Sequence, residues 1–368
     1  MEEEKKVNAE ILRTWLEEGK PVFVLDVRPE EQRKEWRIPR SAYLGGYKRV
    51  NEGDMSVLDE INIPETTKVV TVCAAGRTSQ VAATALREKG IDAYSLEGGM
   101  KSWTLAWNTA AIDLGNFEII QVRRTGKGCL SYIVASDKEA IIVDASLPPN
   151  VYEQILAEKN LTLKYVIETH IHADHLSRTK QIAERNSVPL YLPTPNKVSF
   201  SFKPVAEESV FKIGSIQIKA ISTPGHTLES TCYIINNRVL LSGDTLFIDG
   251  VGRPDLKSSE EETVAKARML YQSLQKLMRL NESIIVLPAH TGKPVDFDNK
   301  PLQATIATIK TTVAMLQMNE DEFVHTLIQR IPPTPANYQT IVEKNNDGDF
   351  SDVNPVDLEA GANRCAIS

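Results

Sequence analysis

The sequence predicts two α/β units in series, and three features predict them. As far as about residue 107, apolar strands alternate with amphipathic helices, the pattern of a parallel sheet with flanking helices. Beyond Trp107-Asn108, short strands follow one another as a meander and then mix with helices. Five of the six histidines stand in turns that directly follow apolar runs of this second part. A chain of 368 residues is long enough to bury two full cores. The boundary is expected near residues 108–113, giving units 1–110 and 111–368, and with no Pro-, Gly- or Ser-rich linker the two should abut.

In the first unit, Asn8 caps a helix from Ala9 to Glu18 that Gly19 stops, and the apolar strand Val22 to Val27 follows. Val69 to Val72 is a second strand, Ser79 to Glu88 a helix closed by Gly90, and Ala93 to Leu96 a third strand ending at Glu97-Gly98-Gly99. The second strand runs directly into Cys73-Ala74-Ala75-Gly76-Arg77-Thr78-Ser79. Small residues there let the backbone curl so that N–H groups point inward, while the helix start and Arg77 add positive potential. Such a loop favours thiolate over thiol and makes Cys73 a candidate nucleophile, with Arg77 holding a bound anion.

The second unit opens with strands at Ile119 to Arg123, Leu130 to Ala135 and Glu139 to Asp144. Further strands are expected near Tyr165 to Glu168, Val188 to Leu192, Ile216 to Ile221, Cys232 to Ile235, Arg238 to Leu241 and Ile284 to Leu287, with helices over Ser177 to Arg185 and Ser259 to Leu280. Thr169-His170-Ile171-His172-Ala173-Asp174-His175 packs three imidazoles and a carboxylate into one turn after a strand. His170 and His172 should splay toward a common point, and Asp174-His175 should start a helix facing it. Pro224-Gly225-His226-Thr227, Ser242-Gly243-Asp244-Thr245 and Pro288-Ala289-His290-Thr291 repeat the strand-end setting. Unrelated histidines would not fall so, and a metal site is the reading. His325, in the helical run Asp321 to Arg330, reads as an ordinary surface side chain.

Net charge is -7 with no long Lys/Arg block, so the electrostatic footprint of a nucleic-acid binder is missing. The start Met1-Glu2-Glu3-Glu4-Lys5-Lys6 is polar, and no uncharged stretch is long enough to span a bilayer, so neither a membrane nor nucleic acid is expected as a partner. Four scattered cysteines argue against a disulfide framework and for a cytoplasmic setting. Cys129 and Cys232 read as strand cysteines and Cys365 as a buried structural one. The sequence leaves homo-oligomerisation open.

On these motifs residues 8–107 resemble a single rhodanese domain. The resemblance rests on Leu25-Asp26-Val27-Arg28, Ile38-Pro39-x-Ser41-Ala42, the six-residue loop Cys73 to Thr78 and Leu96-Glu97-Gly98-Gly99-Met100-x-x-Trp103. It implies that Cys73 carries sulfane sulfur as a persulfide, since a loop of this length goes with sulfur transfer and the related phosphatases have one residue more. Asp26 and Arg28 are read as scaffold, and Arg37-Ile38-Pro39 replaces the usual His-Ile-Pro.

Residues 116–368 resemble the metallo-β-lactamase superfamily, which implies an αββα sandwich with metal at one edge of its two sheets. His170, His172, Asp174, His175, His226, Asp244 and His290 match the ligand positions. The full set fits a glyoxalase II type hydrolase, in which two Zn(II) ions activate a hydroxide against a thioester. It fits equally the persulfide dioxygenase branch, in which His170, His226 and Asp244 would hold one Fe(II) per chain and His172, Asp174, His175 and His290 would orient ligands and move protons. Gly250-Val251-Gly252-Arg253-Pro254-Asp255-Leu256, the tail segments Pro335-Ala336-Asn337-Tyr338 and Gly361-Ala362-Asn363-Arg364-Cys365, and the fusion to a sulfur-handling domain tip the resemblance toward the dioxygenase. It implies O2, a small thiol persulfide such as glutathione persulfide, and thiosulfate or sulfite as small-molecule partners, with sulfite and thiol as dioxygenase products. Arg253 is the candidate for holding a substrate carboxylate, with a salt bridge to Asp255 as the equal alternative. A non-catalytic sulfur carrier or sensor built on Cys73 is a third class.

Overall fold

The computed structural model describes residues 5–195, 198–335, 337–361 and 363–367. Met1 to Glu4, and Ala336 and Ala362 of the tail segments, lie outside the described residues.

The first unit is a five-stranded parallel sheet in the order Lys6–Val7, Ala93–Leu96, Lys68–Val72, Val22–Asp26, Ala42–Tyr43. Its central strands, Val22–Asp26 and Lys68–Val72, are mostly apolar because both faces are covered. Leu25, Val27 and Val69 pack with Ala82 and Leu86 of the helix Arg77–Glu88, whereas Val24, Val70 and Val72 pack with Leu12 of the helix Ala9–Glu17 and with Trp103. Asn8 caps as expected, its side chain accepting the Ile11 N–H at 2.8 Å. Arg28 grips Asp26 through two hydrogen bonds of 3.0 and 2.7 Å and donates to the Trp36 carbonyl, a buried scaffold contact.

The second unit is an αββα sandwich. A seven-stranded sheet runs Lys203–Val205, Leu190–Pro193, Thr162–Ile167, Glu139–Val143, Cys129–Ser136, Glu118–Arg124, Asn108–Asp113. A six-stranded sheet runs Val210–Ile213, Ile216–Ser222, Thr231–Ile235, Val239–Gly243, Ile285–Pro288, Ala304–Thr305. Their inner faces meet through Tyr132, Val143, Ile167, Ile218, Tyr233 and Leu241. Helices Pro149–Glu158 and Thr179–Asn186 cover the outer face of the first sheet; Glu260–Met278 and Glu320–Gln329 cover that of the second. Asn108–Asp113, across which the sequence puts the domain boundary, pairs along its whole length with Glu118–Arg124 and so belongs entirely to the second unit. No described helix is long and apolar enough to cross a membrane.

The units abut. The Trp36 indole donates to the Thr125 carbonyl at 3.0 Å, and Arg124 Nε donates to the Thr104 carbonyl at 2.7 Å. The C-terminal segment crosses the seam: Arg364 pairs with Glu35 at 3.0 Å, and Ala366–Ile367 forms a two-stranded antiparallel sheet with Val251–Gly252. Glu359, fully buried, accepts from Arg124 (2.6 Å), Arg178 (3.2 Å) and the Leu176 N–H (2.7 Å).

Removing one partner of a buried pair leaves a desolvated charge behind. Glu359→Ala should therefore destabilise the protein by about 3–5 kcal/mol, read as a lowered urea midpoint. Glu30→Ala, which breaks the exposed Lys34–Glu30 pair, should leave that midpoint in place. Equal effects would show that the Glu359 network contributes no more than a surface contact.

Candidate metal centre and thiol loop

Cys73 lies at the end of the strand Lys68–Val72, and its loop is held from two sides. Its Sγ accepts the Gly76 N–H at 3.1 Å and lies 3.3 Å from the Ser79 hydroxyl, and its carbonyl accepts the Met100 N–H at 2.9 Å. A Cβ on Gly99 would stand 2.3 Å from that carbonyl, with φ at +59°, so the close approach requires glycine. Gly76 takes φ +91° and opens the helix Arg77–Glu88, whose first residue, Arg77, is exposed beside the loop.

The five clustered histidines, all buried, converge at one edge of the sandwich. Gly225, ahead of His226, sits where a Cβ would be 2.4 Å from the Leu270 backbone, so the loop lies flat on the helix Glu260–Met278 and delivers His226 inward. Asp174-His175 does not begin a helix; that helix starts at Thr179. The Leu176 and Ser177 N–H groups go instead to side chains from the far end of the chain, Glu359 and Asn345, at 2.7 and 2.8 Å.

His170, His226 and Asp244 come together. Asp244 Oδ2 is 3.8 Å from His170 Nε2 and 3.6 Å from His226 Nε2, each less than twice the ~2.1 Å length of a metal bond to N or O. His170 Nε2 and Asp244 Oδ2 are buried with no hydrogen-bond partner among the described residues, a cost that a bound cation removes. The far side of each ligand is fixed. His170 Nδ1 meets the Thr169 hydroxyl at 2.9 Å, His226 Nδ1 meets the Arg253 carbonyl at 2.7 Å, and Asp244 Oδ1 meets His290 Nδ1 at 2.5 Å. Burial holds His170 well below the ordinary imidazole range and lowers His226, so both are neutral and free to ligate. Asp244 is held well below the usual carboxylate range: burial opposes this, but the three facing imidazoles, His290 foremost, outweigh it.

The remaining three imidazoles are paired with carboxylates. His172 Nε2 lies 3.0 Å from Glu168 and 3.3 Å from Asp144, and these two raise it far above its ordinary value against the opposing effect of burial. His290 stands between carboxylates, with Nε2 in ion-pair contact with Asp174 at 2.8 Å, and is likewise raised. His175 Nδ1 lies 3.0 Å from Asp174. Cys129 is more than a strand cysteine. Its Sγ is 3.3 Å from Asp174 Oδ2 and, with Asp174, His175 and His290, forms a second group of donors close enough to share an ion. Burial pushes this thiol up, but His175 and His290 outweigh it and bring it to about 7. Cys365 groups with Asp244 and His290, and burial pushes its thiol well up; Asn363 reaches Asp174 at 2.8 Å. Cys232 is buried in its strand, and His325 is exposed on the helix Glu320–Gln329.

For Arg253 the structure shows the second of the two alternatives, the salt bridge to Asp255. Arg253 is fully buried, with Nε and Nη2 on Asp255 at 2.8 and 2.7 Å and its other donors on the carbonyls of Pro332, Pro333 and Arg364. A guanidinium has five N–H donors, and all are spent. Its contribution to the site is the backbone carbonyl that orients His226. Asp144 and Glu168 escape sequence reasoning and Cys129 reads there only as a strand cysteine; Asp144 alone carries a signal, as a carboxylate ending the apolar run Ala140 to Val143. A cavity of about 530 Å³ opens beside His226, walled by Ile171, Ala173, Leu228 and Met269.

Asp244→Ala should strip metal from the protein, because it removes a ligand atom. His290→Gln should weaken metal binding about 10- to 100-fold yet still allow stoichiometric loading. Anaerobic metal titration read by calorimetry distinguishes the two, and equal losses would overturn the assignment of His290 as a residue that orients Asp244.

Comparison with known proteins agrees with this architecture. Residues 8–106 match the Rhodanese-like domain family and residues 124–290 the metallo-beta-lactamase superfamily. The probable metallo-hydrolase YqgX of Bacillus subtilis is 28% identical over 181 residues, 44% of this chain and 83% of that protein. The hydroxyacylglutathione hydrolase of Francisella tularensis subsp. novicida is 30% identical over 164 residues, 43% of this chain and 61% of that protein, so the chain spans less than two thirds of it. Among solved structures, a metallo-beta-lactamase from Staphylococcus aureus superposes with a TM-score of 0.60 at 24% identity, covering 64% of this chain and 75% of that one. ETHE1 from Myxococcus xanthus superposes with a TM-score of 0.54 at 26% identity, covering 61% of this chain and 96% of that one. The chain is a rhodanese-like domain followed by a domain of the metallo-beta-lactamase superfamily.

Proposed function

We propose that the chain is a persulfide dioxygenase coupled to a sulfurtransferase, oxidising a small thiol persulfide such as glutathione persulfide. The observation that carries this reading is the division of the imidazoles. His170 and His226 face Asp244 at 3.8 and 3.6 Å with no carboxylate in hydrogen-bond reach, and His170 Nε2 and Asp244 Oδ2 are unpartnered, while His172, His175 and His290 each have a ring nitrogen within 3.0 Å of a carboxylate. Two histidines and one carboxylate with open positions form the ligand set of non-haem ferrous oxygenases. The likeness to ETHE1 and the presence of a rhodanese-like domain on the same chain support it.

The overall change balances with one persulfide, one dioxygen and one water. The terminal sulfur gives four electrons to dioxygen and receives both oxygen atoms; water then cleaves the S–S bond, releasing sulfite and the thiol. Iron(II), held by His170, His226 and Asp244, would supply the redox chemistry that zinc lacks. The chain's own groups prepare the site. Thr169 and the Arg253 carbonyl hold the two imidazoles in the ligating orientation. His290 stands between two carboxylates, with Nδ1 2.5 Å from Asp244 and Nε2 2.8 Å from Asp174, and would hold or pass a proton beside the reacting centre. Burial of all these groups excludes bulk water, and the cavity beside His226 admits the carrier. In the first unit, the Gly76 N–H and Ser79 hydroxyl hold Cys73 Sγ in place as the nucleophile for sulfane sulfur. We assign the protein to the cytoplasm on its four unpaired, buried cysteines.

A binuclear zinc thioester hydrolase is the second reading. The named hydroxyacylglutathione hydrolases favour it, as does the second group of donors formed by Cys129, Asp174, His175 and His290.

Protein purified without oxygen should hold about one iron per chain and consume oxygen on glutathione persulfide. Two zinc ions per chain, with thioester hydrolysis and no oxygen uptake, would replace this reading by the second. Cys73→Ser should abolish sulfur transfer from thiosulfate to a thiol while oxygen uptake on pre-formed persulfide continues, because a hydroxyl cannot store sulfane sulfur. Loss of oxygen uptake with iron still bound would mean that sulfur must pass through Cys73.

A further inference from the structure

We propose that Lys266, on the helix Glu260–Met278, is the residue that binds the carboxylate of the thiol carrier in the cavity beside His226. This rests on the reading that the cavity admits a thiol-borne substrate. Lys266 lines the same cavity as His226 and is half-buried there. Its ammonium has only neutral partners among the described residues: the Ser258 hydroxyl at 2.9 Å and the Leu256 carbonyl at 3.3 Å. An ammonium has three N–H donors, so one is left over.

Three carboxylates lie around it, Glu229 and Glu262 on the wall of the same cavity, but none is in hydrogen-bond contact with the ammonium. Asp255 is held by Arg253 through two hydrogen bonds, Glu229 accepts the Ile171 N–H at 3.1 Å, and Glu262 closes the capping box by accepting the Ser259 N–H at 2.8 Å. A cation held partly out of water with no paired anion is costly unless a ligand supplies one. Burial also lowers the Lys266 pKa, which an incoming anion would reverse. Lys257, exposed at the mouth, adds positive potential, while Leu228 and Met269, both exposed, offer an apolar rim to an aliphatic arm. The fitting occupant has a thiol-borne sulfur at the His226 end, an aliphatic or peptidic arm and a carboxylate at the Lys266 end.

The test uses the full metal-loaded chain under anaerobic conditions, with S-methylglutathione and its diethyl ester as unreactive probes in calorimetry. For the natural chain, esterification should weaken binding about 10- to 100-fold, the range for a hydrogen bond to a charged group. Lys266→Met should weaken the acid by a similar factor and make the protein indifferent to esterification, and Lys266→Arg should restore part of the preference. Comparing two probes within each variant removes any shared loss of folding. If Lys266→Met keeps the full preference for the acid, the anchor is elsewhere and the proposal fails. Oxygen uptake on glutathione persulfide is read separately: its absence with the preference intact would remove the dioxygenase reading and leave the anchor, and the reverse outcome would do the opposite.

Discussion

The chemistry of the second unit depends on how buried carboxylates divide five neighbouring imidazoles. Asp144 and Glu168 take His172, Asp174 takes His175, and Asp174 with Asp244 takes His290. Each pairing offsets the desolvation of both charges. His170 and His226 are left without a carboxylate in hydrogen-bond reach and are lowered by burial, so they face Asp244 as neutral donors. Had Glu168 been apolar, His172 would keep only Asp144 as its anion.

That division needs a rigid frame, and the C-terminal segment provides much of it. Glu359 pairs with Arg124 from the first sheet of the sandwich and Arg178 from the loop after the histidine motif, and it also accepts the Leu176 N–H. Asn345 donates to the carbonyls of both His172 and His175 at 2.8 Å, and Asn363 donates to Asp174. The motif turn is therefore held by side chains from the far end of the chain. Through Arg364 and Glu35 the same segment is tied to the rhodanese-like domain.

This explains what the sequence discloses and what it hides. Strand ends, helix caps and the histidine spacing are local patterns, and Asn8, Ser259 and the turns at His170, His226, Asp244 and His290 are legible from them. Partner choice is not local. Arg253 follows the Gly-Asp turn closely and looks like a substrate anchor, yet its donors go to Asp255, two residues away, and to carbonyls about 80 and 111 residues away. Cys129 carries no motif and reaches Asp174 only because the sandwich brings the start of its strand beside the histidine turn. Lys266 is one of several charged residues on an amphipathic helix, and only the placement of Asp255, Glu229 and Glu262 shows which lysine lacks an anion.

The way the two domains meet bears on how sulfur would travel between them. The Cys73 loop is fixed by the backbone of Met100 and Lys101, and the same short helix, Gly99–Trp103, leads through Thr104 to the contact with Arg124. Trp36 is wedged against the Thr125 carbonyl and Gly128, next to Cys129. A loop braced by its own helix, on a domain locked to its neighbour, cannot swing over a distance as a flexible tether would. Under the proposed function, sulfane sulfur would then move between Cys73 and the metal centre on a diffusing carrier thiol. The half-buried ammonium of Lys266 fits that arrangement, because a diffusing carrier has to be recognised by a group away from its reactive sulfur.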